Sequence, residues 1–167
     1  METLKTERLI LRDWKIGDLD DLFAVLSNPD VTIPAGSSPV ETREKCKEVL
    51  DYLISKRNNY AIEYKASGAV IGAIGLNEDC KKDEGTRNLG FYLSEEFWNR
   101  GLMTEALTAV IANAKGRITR LSATHYNNPK THHLLQKFGF RQVDVIRNVK
   151  RKADSQAHDE PYYVLNL

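Results

Sequence analysis

Cysteine is scarce in this chain. Cys46 and Cys80 stand alone among 167 residues, with no paired spacing. That excludes a disulfide framework or a thiolate cluster as the organising device, and two isolated thiols suit a reducing, cytoplasmic compartment. Long apolar runs are missing as well: stretches such as Ala69–Leu76 fall far short of the roughly 18 residues a membrane span needs. Met1–Arg8 is polar with no apolar run behind it, so no secretory leader is expected. Nor is there an excess of one charge. Lys and Arg number 24 against 23 acids, and the net charge of +1 offers no electrostatic footprint for nucleic acid or an anionic membrane. The G-x-x-x-x-G-K-S/T and G-x-G-x-x-G phosphate loops are absent, which disfavours a P-loop and a dinucleotide site.

What is present is ordinary globular material, 41% hydrophobic and 28% charged. The length suits one domain over residues 1–167, with a core large enough to need no covalent or metal staple. Glu7–Trp14 reads as a first strand. Asp18 then precedes an i, i+3, i+4, i+7 stripe of Leu19, Leu22, Phe23 and Leu26, predicting a helix capped by Asp18 and stopped at Asn28-Pro29. Ser38-Pro39-Val40-Glu41 has capping-box spacing ahead of a second helix with Cys46, Val49, Leu50, Leu53 and Ile54 on its apolar face. After Asn58-Asn59 the period becomes two. Tyr60–Tyr64 and Ala69–Leu76 form a hairpin whose second strand is apolar on both faces. A polar loop, Asn77–Thr86, leads to a strand at Leu89–Leu93. Met103, Ala106, Leu107, Val110, Ile111 and Ala114 then mark the cleanest helix. A strand at Ile118–Thr124, a helix at Lys130–Phe138 closed by Gly139, and strands at Phe140–Val149 and Tyr162–Leu167 complete the chain.

The chemistry concentrates where the strand ending at Leu93 turns into the strongest helix, through Trp98-Asn-Arg-Gly-Leu-Met-Thr-Glu-Ala106. The first amides of a helix lack intrahelical partners and sit at its positive end, so they can cradle a phosphate. Gly101 allows close backbone approach, Arg100 adds charge and Thr104 a hydroxyl. On spacing alone an ordinary surface turn and helix start is the favoured reading. The block nevertheless resembles the acetyl-CoA-binding motif of the GNAT superfamily of N-acetyltransferases, in particular its Rim-type branch acting on ribosomal-protein N-termini. Asn128-Pro-Lys-Thr-His-His-Leu-Leu-Gln-Lys-Phe-Gly-Phe140 is similar to that branch's N-x-x-S…G-F signature. Thr6–Arg12 and Val70–Gly75 match its texture, so four blocks run in register over nearly the whole chain.

The resemblance implies an α/β fold: a mixed, mainly antiparallel sheet of six to seven strands, helices on both faces and a splayed central strand pair. It implies acetyl-CoA as co-substrate, with no metal. Tyr92, Leu93, Asn99, Arg100, Gly101, Leu102, Met103, Thr104, Asn128 and Thr131 would bind it. Trp14 and Ile33–Ser38 would belong to the acceptor wall. Thr131 stands where the family places a serine near the sulfur and is the candidate acid, while Glu78 or Glu63 are candidate water-linked bases. Three positions depart from the pattern, the least of them at Met103, where the family has a small residue and the amide can still bind phosphate. The family's strand glutamate falls on Asn88, and the tyrosine many relatives use as an acid falls on Leu135.

A site without a strong base still suits one class of amine. An α-amine with pKa near 7.7–8.0 is about a tenth neutral at pH 7, whereas a lysine amine near 10.4 is neutral in fewer than about one molecule in a thousand. The expected activity is therefore direct attack of a primary amine on acetyl-CoA. A protein or peptide N-terminus, ribosomal proteins included, is the first acceptor. A polyamine, amino acid or aminoglycoside is the alternative, and a non-catalytic CoA-binding module a third reading. His125, His132 and His133 lack metal-ligand spacing.

Overall fold

The computed structural model describes residues 1–152 and 154–167. Among these residues eight strands form one sheet: β1 (Leu4–Lys5), β2 (Leu9–Arg12), β3 (Asn59–Tyr64), β4 (Val70–Glu78), β5 (Thr86–Leu93), β6 (Arg120–Thr124), β7 (Arg141–Val149) and β8 (His158–Asn166). Their spatial order is β1-β2-β3-β4-β5-β6-β8-β7. Every pairing is antiparallel except β5 with β6. A parallel pair needs a crossover. Helix α4 (Leu102–Ala114) makes it, after α1 (Leu19–Leu26), the single turn α2 (Pro29–Thr32) and α3 (Arg43–Lys56), and before α5 (Pro129–Lys137).

Alternation along β3 divides the core in two. Tyr60 and Ile62 join a cluster with Leu102, Ala106, Leu107 and Val110 of α4 and Leu135 of α5. Ala61, between them, joins a second cluster with Leu22 of α1 and Cys46, Leu50 and Leu53 of α3. Helices therefore cover both faces. β4 crosses the middle of this sandwich, and Val70–Gly75 are all buried. Gly72 is the tight point: a Cβ there would lie 2.3 Å from the Tyr92 carbonyl oxygen, so only glycine lets β4 pass β5 at this height.

Four expectations need correction. The sheet has eight strands rather than six to seven, because the N-terminal segment splits at Thr6–Leu9. The short piece β1 folds back on β2, with Leu4 opposite Leu11, and the α-amine of Met1 is held 2.7 Å from Asp13. Asp18 does not cap α1. Its carboxylate instead accepts from the Arg12 guanidinium at 2.8 and 2.9 Å and from the Lys15 amide at 2.8 Å. The second long helix starts at Arg43, with the Thr42 hydroxyl accepting from the Lys45 amide, because the Val40 amide is already bonded to the Leu26 carbonyl. Trp14 is 5% exposed and belongs to the second core cluster, so it forms no acceptor wall.

No helix is long and apolar enough to cross a membrane among the described residues.

Candidate active site

The sheet opens where its one parallel pair ends. β5 and β6 are in register only from Thr86–Arg120 to Asn88–Ser122. Beyond Asn88, β5 stays paired with β4 as far as Leu93, while β6 turns to β8 as far as Thr124. The β6-facing edge of Leu89–Leu93 thus has no strand partner among the described residues, and a cleft of about 640 Å³ lies along it. An unpaired strand edge offers backbone donors and acceptors to an extended ligand.

The N-terminus of α4 lies in the same cleft. Gly101 has φ +74°, a left-handed conformation that costs an L side chain roughly 1–2 kcal/mol, and no side chain caps the helix. Leu102, Met103 and Thr104 line the cleft, so the amides of the first helical turn are free for an anion. The start of the helix is held from outside. The Glu105 carboxylate accepts from the Thr6 hydroxyl at 2.5 Å and from the Arg8 amide and guanidinium at 2.8 and 2.7 Å. Arg8 also donates to the Arg100 carbonyl at 2.9 Å. Burial pushes the Glu105 carboxyl up, but these hydrogen bonds outweigh it and hold it below the usual carboxylate range.

Most of the expected residues meet at this cleft. Tyr92, Leu93, Asn99, Gly101, Leu102, Met103, Thr104, Asn128 and Thr131 all line it. The Leu93 carbonyl is taken by the Trp98 indole at 2.7 Å, and burial pushes the Tyr92 hydroxyl up, so Tyr92 stays a protonated donor. Asn128 caps α5 by accepting from the Thr131 amide at 3.1 Å, and its side-chain NH2 donates to the Pro34 carbonyl at 3.4 Å. Pro34 and Ala35 line the cleft too, bringing part of the Ile33–Ser38 segment to it.

Three residues are not brought there. The exposed Arg100 guanidinium stacks over Phe97 and Tyr64, 5.2 and 5.5 Å from the ring centroids, and donates to the Tyr64 hydroxyl. Glu78 is exposed at the far end of β4, paired across the strands with Arg87. Glu63 is bonded at 2.5 Å to the buried Arg12. Leu135 packs in the core, and Asn88 donates to Ser122, so neither departure from the family pattern is replaced at its own position.

The structure also adds residues to the cleft. Asp30 and Glu95 place two carboxylates on its lining, with Asn28 donating to Glu95 at 3.1 Å. Arg151 reaches in from the β7–β8 connection, bonded through two guanidinium nitrogens to the buried Glu160. His125, one residue past β6, lines the cleft while 9% exposed. The readable signal for His125 was strand alternation: Leu121, Ala123 and His125 fall on one face. Arg151 stands in a basic cluster with Arg147, Lys150 and Lys152 that reads as a solvated loop, and its place at the cleft depends on the path of that loop.

Comparisons agree with this geometry. Residues 8–141 match the family model described as the acetyltransferase (GNAT) domain. An uncharacterized N-acetyltransferase, YoaA of Bacillus subtilis (strain 168), is 28% identical over 153 residues, 86% of this chain and 85% of the relative. A GNAT-family acetyltransferase from Bacillus anthracis superposes with a TM-score of 0.85 at 19% identity, covering 99% of this chain and 98% of the other. RimL, a ribosomal α-N-protein acetyltransferase solved with coenzyme A, gives 0.81 at 18% identity, covering 99% and 98%. With a cleft at the splayed strand pair, open amides at α4 and a family match over residues 8–141, the chain belongs to the GNAT family of acetyltransferases.

Proposed function

We propose that the protein transfers an acetyl group from acetyl-CoA to a protein or peptide N-terminal α-amine. One juxtaposition carries the reading: the uncapped start of α4 and the unpaired edge of β5 face one cleft. In it the amides of Leu102–Thr104 hold the diphosphate, with Asn99 and Gly101 shaping the turn. The β5 edge near Tyr92 and Leu93 pairs with the pantetheine amides, and Asn128 closes the opposite side. A β5 amide polarises the thioester carbonyl, stabilising the developing oxyanion. The amine nitrogen attacks that carbon, the C–N bond forms, and the C–S bond breaks. Thr131 donates a proton to the departing sulfur and recovers one from water. Arg100 contributes its amide rather than its charge, and Glu78 takes no part.

Asp30 and Glu95 on the cleft lining suit an amine acceptor of any class. One feature favours an α-amine. No carboxylate replaces the family glutamate at Asn88, which favours an amine that is already partly neutral at pH 7. RimL, the neighbour that acts on a ribosomal protein, shares the fold and lends the ribosomal acceptor its support. The test is thiol release from acetyl-CoA with six-residue peptides starting in serine, alanine or methionine, against spermidine, lysine and kanamycin. The reading expects turnover with the peptides. Turnover with the small amines alone would overturn the choice of acceptor.

A further inference from the structure

His125 is the cleft residue whose chemistry is left unspent. Neither of its ring nitrogens has a hydrogen-bond partner among the described residues, although both are buried. A neutral imidazole carries one donor and one acceptor, and leaving both unmade in a buried place is costly. The neighbours do not relieve it. Tyr163 stacks against the ring at 5.5 Å between centroids and 15° between planes, and His132 approaches its edge at 5.9 Å. Those two satisfy each other instead, through a 2.8 Å contact between His132 Nδ1 and the Tyr163 hydroxyl. A half-turn of the His125 ring about Cβ–Cγ exchanges each nitrogen with a ring carbon. It keeps the stack on Tyr163 and breaks no hydrogen bond, and the residue lines the cleft.

We infer that His125 is the base that takes the proton of the attacking amine, an inference that rests on the acetyl-transfer reading above. As the nitrogen adds to the thioester carbon its N–H becomes acidic, and the proton passes to the free imidazole nitrogen. The C–S bond then breaks, the sulfur leaves with its electron pair and takes a proton from Thr131, which recovers one from water as the imidazolium returns its own to water. The products are an amide and a thiol, with His125 neutral again.

The groups facing the ring favour its neutral, proton-accepting form. Burial lowers its proton affinity most, and His132 from α5 and Arg151 from the β7–β8 connection lower it further, while Glu160 of β8 opposes them. Tyr163 of β8 covers one face without charge. A base this weak cannot strip a lysine ammonium. It suffices for an α-amine, whose neutral fraction is already appreciable.

The test uses His125→Gln and His125→Phe, the second keeping an aromatic ring on Tyr163. Thiol release is followed from pH 5.5 to 9 with the serine-initiated peptide, and CoA binding by thermal shift. The inference expects kcat to fall about 100-fold in both variants, the scale of general-base catalysis. KM for acetyl-CoA should change little, and the acid inflection should disappear. Independently of turnover, the His125 Cε1 signal in wild-type protein should titrate below the ordinary histidine value of about 6.5 and move when CoA is added. Variants that keep kcat within about threefold and retain the inflection, or a ring signal indifferent to CoA, overturn the inference and leave acetyl transfer standing. Wild-type protein that binds CoA but releases no thiol with any amine tested overturns both.

Discussion

Asn88 and Ser122 form the last rung between β5 and β6, and the Asn88 side chain donates across it to the Ser122 hydroxyl at 3.3 Å. Ser122 in turn donates to buried Asp79, which also accepts from the Tyr162 hydroxyl at 2.9 Å and the Lys81 amide at 3.0 Å. This polar cluster fastens the sheet immediately behind the point where it opens. A cleft between separating strands needs such a fixed end, because the free edge contributes no ladder of its own. Asp79→Ala leaves two buried hydroxyls without their acceptor. It should cost about 2 kcal/mol in urea unfolding, the usual penalty for stranded buried groups, and weaken CoA binding with it. A loss below about 0.5 kcal/mol, within the range of an ordinary surface substitution, would contradict this role.

Arg12 is 8% exposed, and its guanidinium is held between Asp18 and Glu63. Removing one partner leaves a charge buried against a single carboxylate. Asp18→Ala should therefore destabilise by about 3 kcal/mol or more. The loss should change little with salt, since the pair is shielded from solvent. Chemical denaturation at low and high ionic strength checks both points.

Acid stability should fall in two stages. Burial raises the Asp79 carboxyl, but hydrogen bonds from Ser122, Tyr162 and nearby amides outweigh it and hold it below its ordinary value; Glu105 behaves alike. Such groups stabilise the fold above the unfolded carboxylate range near 3.9–4.3, and that contribution is lost as pH falls through their lower folded values. His125 acts earlier. Its folded proton affinity is depressed, so the unfolded chain takes up a proton first, near pH 6.5, and stability declines from there downward. Urea midpoints at pH 7.5 and 5.5 should differ more in wild-type protein than in His125→Gln, and an equal difference would contradict the assignment.

Thr131 is tested by shape. Thr131→Val keeps the volume and removes the hydroxyl, so kcat should fall about tenfold at an unchanged CoA thermal shift, while Thr131→Ser should stay near wild type. Equal activity of the two variants would remove Thr131 from the proton path.

Local patterns foretold the elements that bury a stripe or carry a strong turn signal. The unbroken apolar face of α4, the hairpin of β3 and β4 and the left-handed Gly139 after α5 all follow from residue spacing. Start signals proved less reliable where a side chain had a stronger tertiary partner. Asp18 had the chemistry of a cap but is held by Arg12, and Ser38-Pro39 had the spacing of a box but the Val40 amide is bonded to Leu26. β1 was illegible because a two-residue edge strand has no period. Of the cleft, the phosphate-side turn around Gly101 was written in consecutive residues. On the opposite wall Asn128 and Thr131 also lie in one block, but His125, Arg151 and Asp30 were not legible, since they meet only after three distant segments pack together.

Amide spectra of 15N-labelled protein titrated with CoA test the central claim most directly, since they show where the diphosphate sits without requiring any acceptor. Saturable perturbations centred on Gly101, Leu102, Met103 and Thr104, abolished by the added charge of Gly101→Glu, are the predicted result. CoA that leaves those four amides unmoved, or binds Gly101→Glu as tightly as wild type, would contradict it.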